Sequence, residues 1–214
     1  MVAGSSFSVL AVAAQIALGA LVLAAPGGDA QAQYAAGGST TGGMGTGSIA
    51  IGGGSAGTAA TTGGTANSIA IGTGATVSTS TVMGGGIAIG KDARVTSSTN
   101  NGTGIAIGVS SRSSADSAIA LGQGATATGN YSMSVGNNSA SAGLVATAIS
   151  DNSRAYGDYT VAIGYKANAG QSGNTAVTNA TAIGSYTNAL QDGATAMGAG
   201  AYAASTNALA LGRS

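Results

Sequence analysis

The sequence contains no cysteine and no histidine. Their absence excludes disulfides, thiol nucleophiles, imidazole bases and the commonest metal ligands. Charged residues make up 6% of the chain and the formal net charge is zero, whereas an average soluble domain has roughly 25% charged residues. No basic stripe is visible in the sequence, and nucleic-acid binding depends on such charge. We therefore expect no enzyme, no cofactor, no metal centre and no nucleic-acid partner.

Large side chains are scarce as well. The 214 residues include no tryptophan, one phenylalanine and one proline, and aromatic residues amount to 4%. Glycine, in contrast, occurs 39 times, and much of the 44% apolar fraction is alanine. A thick globular core needs bulky side chains, so the composition indicates either a thin fold or a disordered chain.

The N-terminal segment 1–32 has the pattern of an export signal. An apolar run over residues 7–25 is broken at Pro26, and Ala-Gln-Ala at 30–32 is a small-residue cleavage sequence. We predict a signal peptide over 1–32, incomplete at its start because no Lys or Arg precedes the run. The alternative is a membrane anchor, since about 20 apolar residues span a bilayer. A Gly-rich segment, 33–47, follows.

From residue 48 onwards, a five-residue motif recurs along the chain. Its typical form is Ser-Ile-Ala-Ile-Gly, as at 48–52 and 68–72, and eleven copies follow the same frame. The copies close at positions 52, 72, 90, 108, 122, 136, 150, 164, 184, 198 and 212. Most copies therefore follow a 14-residue period, which insertions of four or six lengthen elsewhere. Every isoleucine after the leader lies in a motif, and this regularity excludes a disordered chain.

This 14-residue period fits two short strands and two turns. The first strand is the Ile-Ala-Ile of the motif. The second is clearest at 125–129, Ala-Thr-Ala-Thr-Gly, where small and polar residues alternate as in a strand with one wet face. Glycines at the strand ends suit tight turns with positive φ. The sequence therefore predicts an all-β parallel solenoid in which equivalent residues of successive coils stack.

The first strand is apolar on both faces, which is typical of strands buried on both sides. One face would fill the coil, and the simplest cover for the other is a second copy of the chain. We expect Ile107 to be a buried core residue stacked between Ile89 and Leu121. The predicted repeat core comprises the fourth residue of each motif: Ile51, Ile71, Ile89, Ile107, Leu121, Val135, Ile149, Ile163, Ile183, Met197 and Leu211.

The S-x-A-I-G copies and the A-x-A-x-G stretches between them resemble the head repeats of YadA-like trimeric autotransporter adhesins. The resemblance covers residues 48–214. It implies a left-handed parallel β-roll, a homotrimer, and display at the outer membrane and surface of a Gram-negative cell. No neck, coiled-coil stalk or anchor is recognisable before Ser214. We therefore expect a head truncated before those parts, joined to a membrane only through an anchor outside these residues.

The resemblance further implies multivalent attachment to host extracellular matrix or host cells, with avidity from three copies. Our candidate contact residues are Tyr156 and Tyr202 on the second strand, and Gln171 and Asn174 in the insertion at 171–178. Tyrosine is enriched at binding hot spots, and loops on rigid scaffolds often carry recognition. The simpler interpretation is that the tyrosines only cover small-residue strands and that the insertions are merely tolerated.

Other functions stay open on the residues alone. One is a structural trimeric β-solenoid spacer or fibre module without its own ligand, although an export signal disfavours a phage fibre. Another is an ice-binding solenoid, which would need a regular threonine array that this sequence interrupts. The insertions near 76–85, near 96–103 and at 171–178 are expected to form protruding loops.

Overall fold

The computed structural model describes residues 34–36, 47–52, 60–62, 65–79, 85–97 and 103–212. In these ranges every helix or strand assigned is a β-strand. Within them no helix is long and apolar enough to cross a membrane. The predicted signal peptide over 1–32 lies outside the described residues.

The strands form two parallel sheets. Sheet A has twelve strands: β1 (Tyr34–Ala36), β2 (Ile49–Ile51), β3 (Ile69–Ile71), β5 (Ile87–Ile89), β7 (Ile105–Ile107), β9 (Ile119–Leu121), β11 (Met133–Val135), β13 (Thr147–Ile149), β15 (Val161–Ile163), β17 (Thr181–Ile183), β19 (Thr195–Met197) and β21 (Leu209–Leu211). Sheet B has nine: β4 (Thr76–Thr79), β6 (Arg94–Ser97), β8 (Arg112–Ser113), β10 (Thr126–Ala127), β12 (Ala140–Ser141), β14 (Arg154–Ala155), β16 (Asn168–Ala169), β18 (Asn188–Ala189) and β20 (Tyr202–Ala203).

From β3 onwards the chain alternates between the sheets, so that each repeat adds one strand to sheet A and one to sheet B. The motifs pair in the register that the 14-residue frame predicts; Ile105 lies beside Ile119, and Ile107 beside Leu121. The all-β parallel solenoid and the stacking of equivalent residues are thereby confirmed. The sequence did not predict β1, which lies in the Gly-rich segment 33–47 and pairs with β2.

Small side chains fill the interior between the two sheets. The middle residue of each motif strand points inward, and those of the central coils, Ala106 and Ala120, are fully buried. Sheet B contributes its second residue, such as Ala127 or Ala155, also fully buried. The sheets therefore lie close together, and alanine, serine and threonine fill the space, with valine only at Val77 and Val95 among the strands described.

The predicted repeat core lies on the outside of the coils. Successive side chains of a strand point to opposite faces, so the buried alanine turns its isoleucine neighbours outward. Ile107 is 38% exposed and Leu211 is 67% exposed in the single chain. The interior holds no side chain larger than valine among the described residues. Burial inside the coil was therefore wrong for the predicted repeat core, which comprises Ile51, Ile71, Ile89, Ile107, Leu121, Val135, Ile149, Ile163, Ile183, Met197 and Leu211. The stacking of Ile107 between Ile89 and Leu121 is confirmed.

From Gly72 to Gly198, the glycine that closes a motif is required by conformation and by space. Gly90 has φ 128°, and a Cβ there would lie 2.6 Å from the carbonyl oxygen of Gly108 in the next coil. Gly108 in turn faces the carbonyl of Gly122. Ser150 is the exception among the described motifs, with φ 107°. The turn therefore depends on a backbone that side chains rarely allow.

Candidate functional site

Ligating and titratable side chains are the first candidates for a functional site. Among the residues that the structure describes, no group of three or more ligating side chains could hold a metal ion. The aspartates at the corners have structural partners: an Oδ1 of Asp158 accepts the Leu144 N–H at 2.8 Å, and an Oδ1 of Asp192 accepts that of Thr178 at 2.8 Å. Binding surfaces are therefore the features to consider.

The outer face of sheet A is an apolar stripe along the solenoid. The second and fourth motif residues both point outward here, and in the coils of β3, β5 and β7 both are isoleucine. In the later coils threonine replaces the second one, as at Thr147 and Thr181. Contiguous exposed apolar surface of this kind marks an interaction site.

A groove runs along one edge of this face. It has a volume of about 320 Å³ and is lined by Gly85, Ile87, Thr103, Gly104, Ile105, Ser117 and Ile119. The corner residues Gly85, Thr103 and Ser117 are small, so the isoleucine side chains beside them are left open. The groove belongs to the N-terminal half of the described coils.

Further along the same corner, large side chains replace the small ones. Tyr131, Val145 and Tyr159 lie one coil apart, are exposed, and have φ between 55° and 59°. The left-handed conformation costs a residue other than glycine about 1–2 kcal/mol. We name these three residues the corner ladder. Exposed apolar residues at strained backbone positions are candidates for contact.

The structure places the predicted contact residues in two separate positions. Tyr202 is the first residue of β20 and is 57% exposed. The strand register places it on the same row of sheet B as Arg154, three strands away. Tyr156 lies two residues beyond Arg154 and is partly buried, with its Cβ 3.4 Å from where a Cβ of Gly170 would be. The two tyrosines therefore lie on different rows, three coils apart.

The insertion that follows Gly170 lies beside Tyr156. Residues 171–176 are exposed, the Asn174 N–H donates to the carbonyl of Gln171 at 3.0 Å, and Nε2 of Gln171 donates to the carbonyl of Leu190 at 3.3 Å. Gln171 and Asn174 are thus neighbours within the insertion, which begins after the glycine that lies against Tyr156. The other two predicted loops were partly wrong, because residues 76–79 and 96–97 belong to strands of sheet B; residues 80–84 and 98–102 lie outside the described residues.

An aromatic cluster was missed by sequence reasoning. The rings of Tyr165 and Tyr186 meet edge to face with centroids 5.2 Å apart, and Nζ of Lys166 lies 5.2 Å and 5.4 Å from them. The insertion at 171–178 hides this proximity, because it separates the two tyrosines by more than one basic period. Aligning the motif glycines Gly164 and Gly184 would have revealed it.

The arginines were also missed as a group. Arg94, Arg112 and Arg154 all open strands of sheet B and all are exposed. The sequence showed no basic stripe because the insertions obscure the spacing, yet the fold aligns these three side chains along one row of the outer face. We name this row, from Thr76 to Tyr202, the arginine row.

Comparison with known families identifies the repeat. The family model for the YadA head domain repeat (2 copies) matches residues 66–80, 102–125, 113–139, 146–167, 155–173, 178–201 and 189–214. Together these matches cover more than half of the chain. No curated protein matches the chain. On the solenoid geometry and these matches, the chain belongs to the family of YadA head repeats, the heads of trimeric autotransporter adhesins.

Proposed function

We propose that residues 48–214 form the head of a trimeric adhesin that attaches a bacterium to host extracellular matrix or host cells. The observation that carries the proposal is the unbroken series of head-repeat coils, from β3 to β21, with outward faces that nothing in the described chain covers. Export through the signal peptide over 1–32 and display at the outer membrane are parts of the same proposal.

The outer face of sheet A supports a homotrimer. Its isoleucines are half-exposed in the single chain, and burial of apolar surface contributes about 25 cal/mol per Å². Equivalent residues stack along the whole stripe, so two further copies could cover it continuously. The fourth motif residues, Ile107 among them, would then become the core of the trimer instead of the core of the coil.

The same packing leaves the opposite face for ligands. With sheet A turned towards the other copies, sheet B and the insertion at 171–176 face outward. Tyr202 on the arginine row, and Tyr156 with Gln171 and Asn174 beside the insertion, remain our proposed contacts. The residues that open the strands of sheet B are mostly small or polar, so each site would be weak, and three copies on one rigid body would raise the avidity.

Binding to immobilised collagens, fibronectin and host cells tests the proposal. We expect the trimeric head to bind at least one of them, and we expect Y202A, Y156A or deletion of 171–176 to weaken that binding. An S185A variant, at a corner away from sheet B, is the control. A trimer that binds no matrix protein and no cell would contradict the adhesive role and favour the spacer function.

A further inference from the structure

The outer face of sheet B carries charge of one sign. Nine outward residues open its strands; three of them are arginines, Arg94, Arg112 and Arg154, and none is acidic. The aspartates of the described chain lie instead at the corners, as Asp92 and Asp158 do. A chain with no net charge thus presents a positive row on one face.

Two of the arginines are immediate neighbours. Arg94 and Arg112 are register partners on β6 and β8, and adjacent strands lie about 4.8 Å apart. Like charges placed side by side on a sheet are destabilising. Within the described ranges neither guanidinium has an ion pair or a hydrogen bond. An anion between them would relieve the repulsion, and a guanidinium matches the geometry of sulfate or carboxylate oxygens.

The row continues along the solenoid axis. Arg154 lies three strands beyond Arg112, about 14 Å away at the usual strand spacing. Thr126 and Ala140 lie between them and are small, so the surface there is flat. Beyond Arg154 come Asn168 and Asn188, then Tyr202. A linear ligand along this axis would meet charge, hydroxyl, charge, amide and aromatic ring in turn.

We propose that the arginine row binds a linear acidic polysaccharide that carries sulfate or carboxylate groups. Arg94 and Arg112 form the main anion subsite and Arg154 forms a second. Oδ1 of Asn168 is buried, and Nδ2 of Asn188 donates to the Tyr186 carbonyl. The sugar hydroxyls therefore hydrogen-bond Nδ2 of Asn168, Oδ1 of Asn188 and the hydroxyl of Thr126, and the ring of Tyr202 packs on a sugar ring. This inference rests on the proposed attachment function for its biological setting, and it names the ligand class of that attachment.

The composition of the row favours a polysaccharide over other polyanions. Three charges spread over about 19 Å are sparse beside duplex DNA, which carries one phosphate per about 1.7 Å. An anionic membrane would call for bulky apolar side chains that insert between lipids, and the row has none besides Tyr202. Wide charge spacing with hydroxyl and amide side chains between suits a sugar chain.

Heparin, hyaluronan and neutral dextran, immobilised separately, test the proposal with the exported chain in surface plasmon resonance. Heparin carries sulfate and hyaluronan carries carboxylate alone, so the two probes distinguish the anion. We expect binding to heparin or hyaluronan, none to dextran, and weakening as salt rises. R94Q/R112Q should lower the affinity at least tenfold, R154Q by a smaller factor, and R94K/R112K by an intermediate one because the fork geometry is lost.

The matched control is K91Q/K166Q, which removes the same charge from the corners instead of from sheet B. It should leave the affinity within twofold of wild type. Circular dichroism and thermal melting check that each variant folds. If R94Q/R112Q does not fold, R94K/R112K is compared with the control instead. An equal loss of affinity in R94Q/R112Q and in K91Q/K166Q would overturn the proposal. So would the absence of binding to both acidic polysaccharides.

Further results distinguish this inference from nucleic-acid binding and from the proposed adhesive function. Duplex DNA that binds as tightly as heparin through the same arginines would overturn the assignment to a polysaccharide. A head that binds matrix proteins but neither acidic polysaccharide would overturn this inference and leave the adhesive function standing. Heparin binding without attachment to any matrix protein or cell would overturn the adhesive function and leave the polysaccharide inference standing.

Discussion

Two stretches of the solenoid fill the same interior with different residues. In the N-terminal coils, sheet B places Val77 and Val95 inside, and glycine stands at the facing first motif position, Gly86 and Gly104. A Cβ on Gly86 would lie 2.8 Å from Cγ1 of Val77 and 3.0 Å from Cγ1 of Val95. In the C-terminal coils of residues 146–203 the buried apolar cluster is nearly all alanine, drawn from both walls.

The comparison shows that the interior has a fixed width. The strands of both sheets stack in constant register, so the separation of the two walls cannot widen at one coil alone. Valine on one wall is accommodated by glycine on the other, and elsewhere alanine, serine and threonine line both walls. A limited interior is also the physical reason why isoleucine lies outside.

The strongest perturbation of this balance is a large residue in an alanine coil. Ala162→Leu places three extra carbons in a space that is fully closed, and overpacking commonly costs about 1–3 kcal/mol. We expect a loss at or above the upper end of that range, because both walls are continuous hydrogen-bonded sheets. Urea unfolding measures it.

The control is Ala140→Leu, on the outer face of sheet B, where the side chain is free to point into solvent. It should change the free energy of unfolding by less than about 0.5 kcal/mol, as surface substitutions usually do. Equal losses for the two variants would contradict a narrow interior.

The next largest effect is expected at the turns. Gly122→Ala forces a side chain onto a backbone with φ 132° and against the carbonyl of Gly136; we expect a loss of about 2–3 kcal/mol, given the cost of strained backbone positions. Gly200→Ala is the control, because its φ of 73° is also positive but its Cβ would meet nothing. That change should cost about 1 kcal/mol. Thermal melting of the two variants measures both losses. Equal losses would mean that the backbone conformation alone accounts for the cost at Gly122, without the contact with the next coil.

A double-mutant cycle tests the valine–glycine exchange itself. Gly86→Ala alone should destabilise through its clash with Val77, and Val77→Ala alone should leave a cavity worth about 2 kcal/mol. Together they remove the closer of the two valine contacts of the new Cβ and leave only Val95, at 3.0 Å. The combined loss should therefore fall short of the sum by about 1 kcal/mol or more. Additive losses in denaturant unfolding would contradict shared space.

The smallest effect is a gain. Ser150 occupies the motif-closing position with φ 107°, and glycine there should raise the free energy of unfolding by about 1 kcal/mol. Ser185→Gly is the control at a corner position without positive φ; it should be neutral or slightly destabilising, since glycine gains entropy in the unfolded chain. A shift of the denaturation midpoint in the same direction for both variants would count against the conformational explanation.

The repeat frame was enough to predict the motif strands, their register and the closing glycines, because each depends on spacing alone; it did not predict β4, which lies in a predicted loop. It did not predict which face of the motif strand points inward, since Ile-Ala-Ile is apolar on both sides and hydrophobicity favours isoleucine inside. A clue was present in the second strand of the 14-residue coils, where the residues that prove to be buried, such as Ala127 and Ala155, are small. The strand β1 carries no motif, so its pairing could not be predicted.

The candidate site was predictable only in part. Tyr202 on an outward row follows from the alternation in sheet B, but Tyr156 required the exact end of β14. The neighbours Arg94 and Arg112 are well separated in sequence, and the insertion between them obscures the 14-residue frame. Such rows emerge only after the coils are aligned on their closing glycines.

The central claim is that the outward isoleucines of sheet A are covered by further copies of the chain. Light scattering on residues 33–214 tests it most directly, because it gives the molar mass in solution without reference to shape. We predict a folded trimer for the wild type, and for Ile107→Asp a folded chain that has lost the trimer, since the new charge lies on the outer face. A wild type that is a stable, folded monomer at micromolar concentration would contradict the account, as would an Ile107→Asp trimer of unchanged stability.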